Sequence, residues 1–136
     1  MFSDASFKNL GNKTGSAGGY IIFLSGGFIP GRKGWCIPLT WKSIRVKRVA
    51  TSTYEAETLI CSEAVEEAAI LKHMMVKMSG IPEKIIAIEC YTDCNDLSSA
   101  VHSSTQLKGG RVQVDIAKIR EMLENCLLYT SDAADE

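Results

Sequence analysis

The chain has 136 residues, 46% of them hydrophobic and 23% charged, with a net charge of -1. That length admits one domain with a two-layer core, and the composition is ordinary for a globular chain. No apolar run reaches the roughly 20 residues a spanning helix needs, and no charged-then-apolar start looks like a signal peptide, so no membrane partner is expected. Five cysteines, an odd number without framework spacing, point to a reducing, intracellular compartment. Cys90 and Cys94 have no second Cys/His pair at a zinc-site spacing and read as core or strand-end residues.

Residues 1–7 alternate: Phe2, Asp4 and Ser6 face one way, Ser3, Ala5 and Phe7 the other. This predicts a strand, with Asp4 in a place that strand propensity disfavours. Residues 8–19 are turn material, rich in Asn, Gly, Lys and Ser. Residues 20–24 form a buried strand closed by Gly26 and Gly27, and 35–46 a third strand interrupted at Pro38. Short connections between three successive strands imply an antiparallel meander.

Ser52, with Glu55 three residues on, fits a capping box before a long run of helix formers. Ala56, Ile60, Ala64, Ala68, Leu71, Met75 and Met78 recur at steps of four and three, so one stripe faces a core. Glu57 lies in the first turn at the edge of that stripe. It is either a solvated acid near the helix dipole or part of a site under the sheet. Ser79-Gly80-Ile81-Pro82 ends the helix. Residues 85–92 read as an apolar strand buried on both faces, reaching its end at Asp93 and lying parallel to an earlier strand after a right-handed crossover. Residues 95–102 suit a short helix burying Leu97, Ala100 and Val101, and 103–110 a polar loop. Val112, Ile116, Ile119 and Leu123 mark a further amphipathic helix with Asp115 in its first turn.

Three acids stand at comparable places: Asp4 in the first strand, Glu57 at the start of the long helix, Asp93 at the end of the parallel strand. If those strands are neighbours, Asp4 and Asp93 meet, and the helix can bring Glu57 onto them. Crowded carboxylates repel and raise at least one pKa unless a cation shares the site. Hard oxygen ligands select Mg²⁺ or Mn²⁺. Two such ions about 4 Å apart can activate water and stabilise the leaving oxygen of a phosphodiester. Taken singly, each acid reads equally well as a surface residue.

The order strand-strand-strand-helix-strand, with Asp, Glu and Asp at those points, resembles the ribonuclease H fold. More closely, it is similar to the ribonuclease H domain of copia-type retrotransposon polyproteins. The matching pieces are Ser3-Asp4-Ala5-Ser6, Gly18-Gly19-Tyr20-Ile21-Ile22-Phe23-Leu24, Trp41-Lys42-Ser43 and Ser52-Thr53-Tyr54-Glu55-Ala56-Glu57. After these come Tyr91-Thr92-Asp93, and His102-Ser103-Ser104 leading to Val114-Asp115-Ile116. The resemblance implies an α/β domain: a mixed sheet of three antiparallel strands, then a parallel strand after a helical crossover, with helices packed on it and the final strand missing. It implies that Asp4, Glu57 and Asp93 are catalytic metal ligands for Mg²⁺ or Mn²⁺, two ions in the intact domain. The implied activity is endonucleolytic hydrolysis of the RNA strand of RNA·DNA hybrids, beside the reverse transcriptase domain of the same polyprotein. The alternative is an inactive module with a structural or nucleic-acid-binding role.

This sequence departs from the family pattern twice. Tyr54 is inserted between Thr53 and Glu55, so Glu55 is the alternative to Glu57. The family's fourth acid, in a late Ala-Asp-x-Leu-Thr-Lys segment, has no counterpart, and Asp115 matches the Asp of the preceding helix instead. Residues 1–125 therefore read as a partial domain and 126–136 as a non-native tail that resembles a translated sequencing adapter. The tail has no apolar period and is expected to form no strand. Its acids Asp132, Asp135 and Glu136 leave 13 acidic against 15 basic residues when set aside. Arg32 and Lys33 lie in a loop, while Lys42, Arg45, Lys47 and Arg48 cluster along or after the third strand, as candidate phosphate contacts or solvated lysines and arginines. Tyr20 and Trp41 read as packing residues, and His73 and His102 as surface or core.

Overall fold

The computed structural model describes residues 1–6, 15–26, 33–46, 50–103, 110–126 and 129–132. Strands β1 (Phe2–Ser6), β2 (Ala17–Ser25) and β3 (Cys36–Arg45) form the expected antiparallel meander. Helix α1 (Thr53–Ser79) crosses over to β4 (Glu89–Thr92), which pairs parallel with β1 through Phe2 and Tyr91. Helices α2 (Asn95–His102) and α3 (Gly110–Cys126) follow, then β5 (Tyr129–Asp132). The sheet order is β3-β2-β1-β4-β5, so β1, which carries Asp4, is the central strand.

Helix α1 starts where the capping signal places it. Ser52 Oγ accepts from the Glu55 backbone N–H at 3.2 Å, and Glu55 Oε2 reaches back to the Thr51 N–H at 2.7 Å. Ala56, Ile60, Ala64 and Ala68 are buried, joined by Val65 and Cys61, and they pack over Ala5, Tyr20 and Ile22 in one core. The stripe does not run to its predicted end: Met78 is 84% exposed, because the last turns of this 27-residue helix outrun the sheet beneath them. The helix ends at Gly80, whose φ of 69° is left-handed.

Four local expectations change. Strand β2 begins at Ala17, because Gly18 and Gly19, which read as turn residues, belong to the ladder. At Gly18 the sheet and α1 meet so closely that a Cβ would lie 2.5 Å from Ile60 and 2.9 Å from the Asp4 carbonyl oxygen. Gly18→Ala is therefore expected to destabilise the fold by about 1–3 kcal/mol in urea unfolding, and an unchanged midpoint would contradict this packing. Strand β3 is not broken at Pro38. It is an edge strand, where the missing N–H costs no ladder bond, and the register shifts between Ile22 and Phe23 opposite it. The fourth strand is shorter than its apolar run. Pro82 leads into a 3-10 turn at Glu83–Ile85, and Cys90 and Thr92 alone of the strand are fully buried, so it is covered on one face. Asp115 falls in the second turn of α3 and is buried, since that helix already starts at Gly110.

The tail also departs from expectation. Tyr129–Asp132 pair parallel with β4, Glu89 opposite Tyr129 through Thr92 opposite Asp132. The outer edge of β4 offers unpaired main-chain groups, and a ladder satisfies them without any apolar alternation in the added segment. The polar loop predicted after Ser103 lies largely outside the described residues. Among the described residues no helix is long and apolar enough to cross a membrane.

Candidate metal centre

One face of the sheet packs on α1; the other presents Phe2, Asp4, Gly19, Ile21, Ser43, Tyr91 and Asp93 around a cavity of about 560 Å³. The registers explain this grouping. Asp4 is opposite Gly19, Gly19 opposite Ser43, and Phe2 opposite both Ile21 and Tyr91. An apolar row therefore lies beside a row of small and acidic residues. The Phe2 and Tyr91 rings stack at 4.8 Å with an interplanar angle of 17°, and Phe2 meets Phe23 edge-on at 6.2 Å.

Between the middle of β1 and the C-terminal end of β4 the three acids converge. Asp4, Glu57 and Asp93 each offer a carboxylate oxygen, and these oxygens lie within 4.8 Å of one another. Asp4 and Asp93 are exposed; Glu57, from the second turn of α1, is 4% exposed. Its Oε1 accepts the Ala5 backbone N–H at 2.9 Å, tying helix to strand, while its Oε2 is buried without a hydrogen-bond partner. Burial pushes the Glu57 carboxyl up to about 7 from 4.5; the Ala5 N–H opposes this, and the Asp4 and Asp93 charges add to it. Glu55 takes no part in this group: its carboxylate is spent on Thr51 at the helix start.

The donor set suits a hard divalent cation. Three carboxylates, from β1, α1 and the bend after β4, one holding an unpartnered buried oxygen, form an oxygen-only group of the kind Mg²⁺ and Mn²⁺ accept. Zinc would draw nitrogen or sulfur ligands, and among the described residues no cysteine or histidine belongs to the group. Cys61 and Cys90 are buried, with the Cys61 thiol pushed up to about 12 by burial, and Cys36 is exposed on β3.

The basic cluster divides. Lys42 faces α1 rather than the cavity, with Nζ 3.4 Å from Glu63 and 3.7 Å from Glu67 and 5.9 Å from the Tyr20 ring centroid. Arg45 and Lys33 are exposed, and Arg32, Lys47 and Arg48 lie outside the described residues. Tyr20 is buried packing, as expected. Trp41 is not: it is 70% exposed on the cavity side of β3, because its neighbour Lys42 takes the helix-facing position. His73 and His102 are both exposed. One contributor escapes sequence reading: the Ala5 N–H that binds Glu57 has no side-chain signal.

No protein-family model matches this sequence, and no curated protein does. Solved structures do. Ribonuclease H1 from the halophilic archaeon Halobacterium salinarum NRC-1 aligns at a TM-score of 0.60 and 14% identity, over 97% of this chain and 82% of that one. LC11 ribonuclease H1, isolated from compost by a metagenomic approach, aligns at 0.60 and 16% identity, over 96% and 80%. The same enzyme in complex with an RNA/DNA hybrid aligns at 0.60 and 14% identity, over 96% and 81%. At these identities the likeness establishes the fold: this chain has a ribonuclease H-like fold.

Proposed function

We propose that the chain is the ribonuclease H domain of a copia-type retrotransposon polyprotein, an intracellular metal-dependent endonuclease for the RNA strand of RNA·DNA hybrids. The observation that carries this reading is the convergence of Asp4, Glu57 and Asp93 within 4.8 Å on a ribonuclease H-like fold. Support for the substrate comes from a structural neighbour crystallised with an RNA/DNA hybrid. The copia assignment rests on the motif order from Ser3-Asp4-Ala5 to Tyr91-Thr92-Asp93.

Asp4, Glu57 and Asp93 would hold Mg²⁺ or Mn²⁺. When bound, such ions supply the charge that activates water and stabilises the leaving oxygen of a phosphodiester. The protein's own part is positional. The Ala5 N–H fixes one Glu57 oxygen, while the other is buried without a hydrogen-bond partner of its own. Asp4 and Asp93 stay exposed on the cavity rim, where a phosphodiester can approach them without displacing the core. A fourth acid, and the reverse transcriptase domain, would come from the rest of the polyprotein.

The test is cleavage of a labelled RNA·DNA hybrid by the domain extended with its parent's C-terminal segment, in Mg²⁺ and in Mn²⁺. The RNA strand of the hybrid should be cut and double-stranded DNA left intact; equal cutting of both would overturn the substrate. A second reading is favoured by one observation: among the described residues three acids converge, not four. An extended domain that binds hybrid and metal without cutting would establish that reading, a non-catalytic binding module.

A further inference from the structure

We propose that Thr92 is a positioning residue for the metal centre, holding Asp93 in reach of Asp4 and Glu57; this rests on the metal-dependent reading above. Asp93 belongs to neither β4 nor α2. It is a single bend residue between the last rung of the strand and the residue preceding the helix. Both flanks of that bend are held. On one side Thr92 is 7% exposed, its side chain turned into the interior beneath the strand end. On the other, the Cys94 carbonyl accepts the Ser98 N–H at 3.1 Å, and Leu97, 1% exposed, anchors the first turn of α2.

The bond that joins the two flanks is made by the threonine hydroxyl. Thr92 Oγ1 accepts the Cys94 backbone N–H at 3.2 Å, spanning Asp93. Such a side-chain turn substitutes for the backbone ladder where a strand stops. Asp93 is exposed, so burial does not hold its carboxylate, and the geometry of its own main chain must. The oxygens it has to meet come from β1 and α1, elements fixed by the core. A bend free to swing would move Asp93 alone and leave Asp4 and Glu57 in place. The hydroxyl, not the bulk of the side chain, is thus what the site uses.

The experiment measures Mn²⁺ binding to the full chain by titration calorimetry, on variants whose folding is checked by circular dichroism. Thr92→Val keeps the volume and removes the acceptor; it should weaken Mn²⁺ about tenfold, the usual scale for removing a group that orients a metal ligand. Thr92→Ser keeps the acceptor and should bind as wild type does. Ile119→Val, a trimmed core residue on α3, should lower stability without changing the affinity. Unchanged affinity in Thr92→Val overturns the proposal, as does an equal loss in Ile119→Val. If Thr92→Val does not fold, Thr92→Ser decides: retained affinity with slow exchange of the Cys94 amide supports the proposal, and lost affinity with that amide still protected overturns it. Asp4→Asn separates the two layers of the argument. Undiminished Mn²⁺ binding in that variant would sink the metal centre itself, whatever Thr92 does.

Discussion

Asp93→Asn is expected to reduce hybrid cleavage by the extended domain about a thousandfold, equivalent to about 4 kcal/mol of barrier. The amide keeps the shape of the side chain and removes the charge that a hard cation requires. Asp93 is exposed at a bend, so the exchange should leave the melting temperature of the metal-free chain within a degree or two. Hybrid binding at low salt should persist, since the exchange removes no basic group. Single-turnover cleavage and filter binding on the same preparations check both halves. Cleavage equal to wild type would overturn the role of Asp93, and with it the two-ion chemistry.

The second large effect concerns Glu57 and pH. Its carboxyl sits at about 7 in the folded chain, against 4.5 for an unperturbed group, with burial the leading cause. Between those values the folded state holds more proton than the unfolded state, so stability falls as pH rises through the window. Below about 4.5 both states are protonated and above about 7 both are ionised, so the difference is constant outside it. At about 1.4 kcal/mol per unit, the total is about 3 kcal/mol. Glu57→Gln should remove this slope and make the metal-free chain the more stable one at pH 8 by about 1–3 kcal/mol. Mn²⁺ should act in the opposite direction, stabilising wild type increasingly as pH rises, because it binds the ionised carboxylate. Thermal melts from pH 5 to 8, in chelator and in Mn²⁺, read out both. Identical metal-free slopes in wild type and Glu57→Gln would contradict the burial of this charge.

The local parts of the fold were legible because their signals are local. The Ser52–Glu55 cap marks the start of α1, and steps of three and four mark its buried stripe as far as Ala68. Leu97, Ala100 and Val101 mark the inner face of α2, and all three are buried. Alternation in residues 1–7 separates Asp4 from the inward Ser3 and Ala5. The three acids stood out because each occupies a position where its element would otherwise disfavour or not require it.

What the sequence determined by itself is therefore the run of elements from β1 to α3, the inward face of β1, of α2 and of α1 as far as Ala68, and a short list of acids. Periodicity does this because it records one residue's relation to the next turn or next pleat of the same element. The tertiary structure decided which distant groups share a space. It chose Glu57 over Glu55, since the Ala5 N–H lies beside one and Thr51 claims the other. It turned Lys42 towards Glu63 and Glu67 and left Trp41 exposed. It shortened β4 to the four residues that fit beside β1 and β5, and it gave the apolar-poor Tyr129–Asp132 a place in the sheet. Main-chain pairing and long-range contact depend on what the rest of the fold leaves open, and a linear pattern carries no record of that.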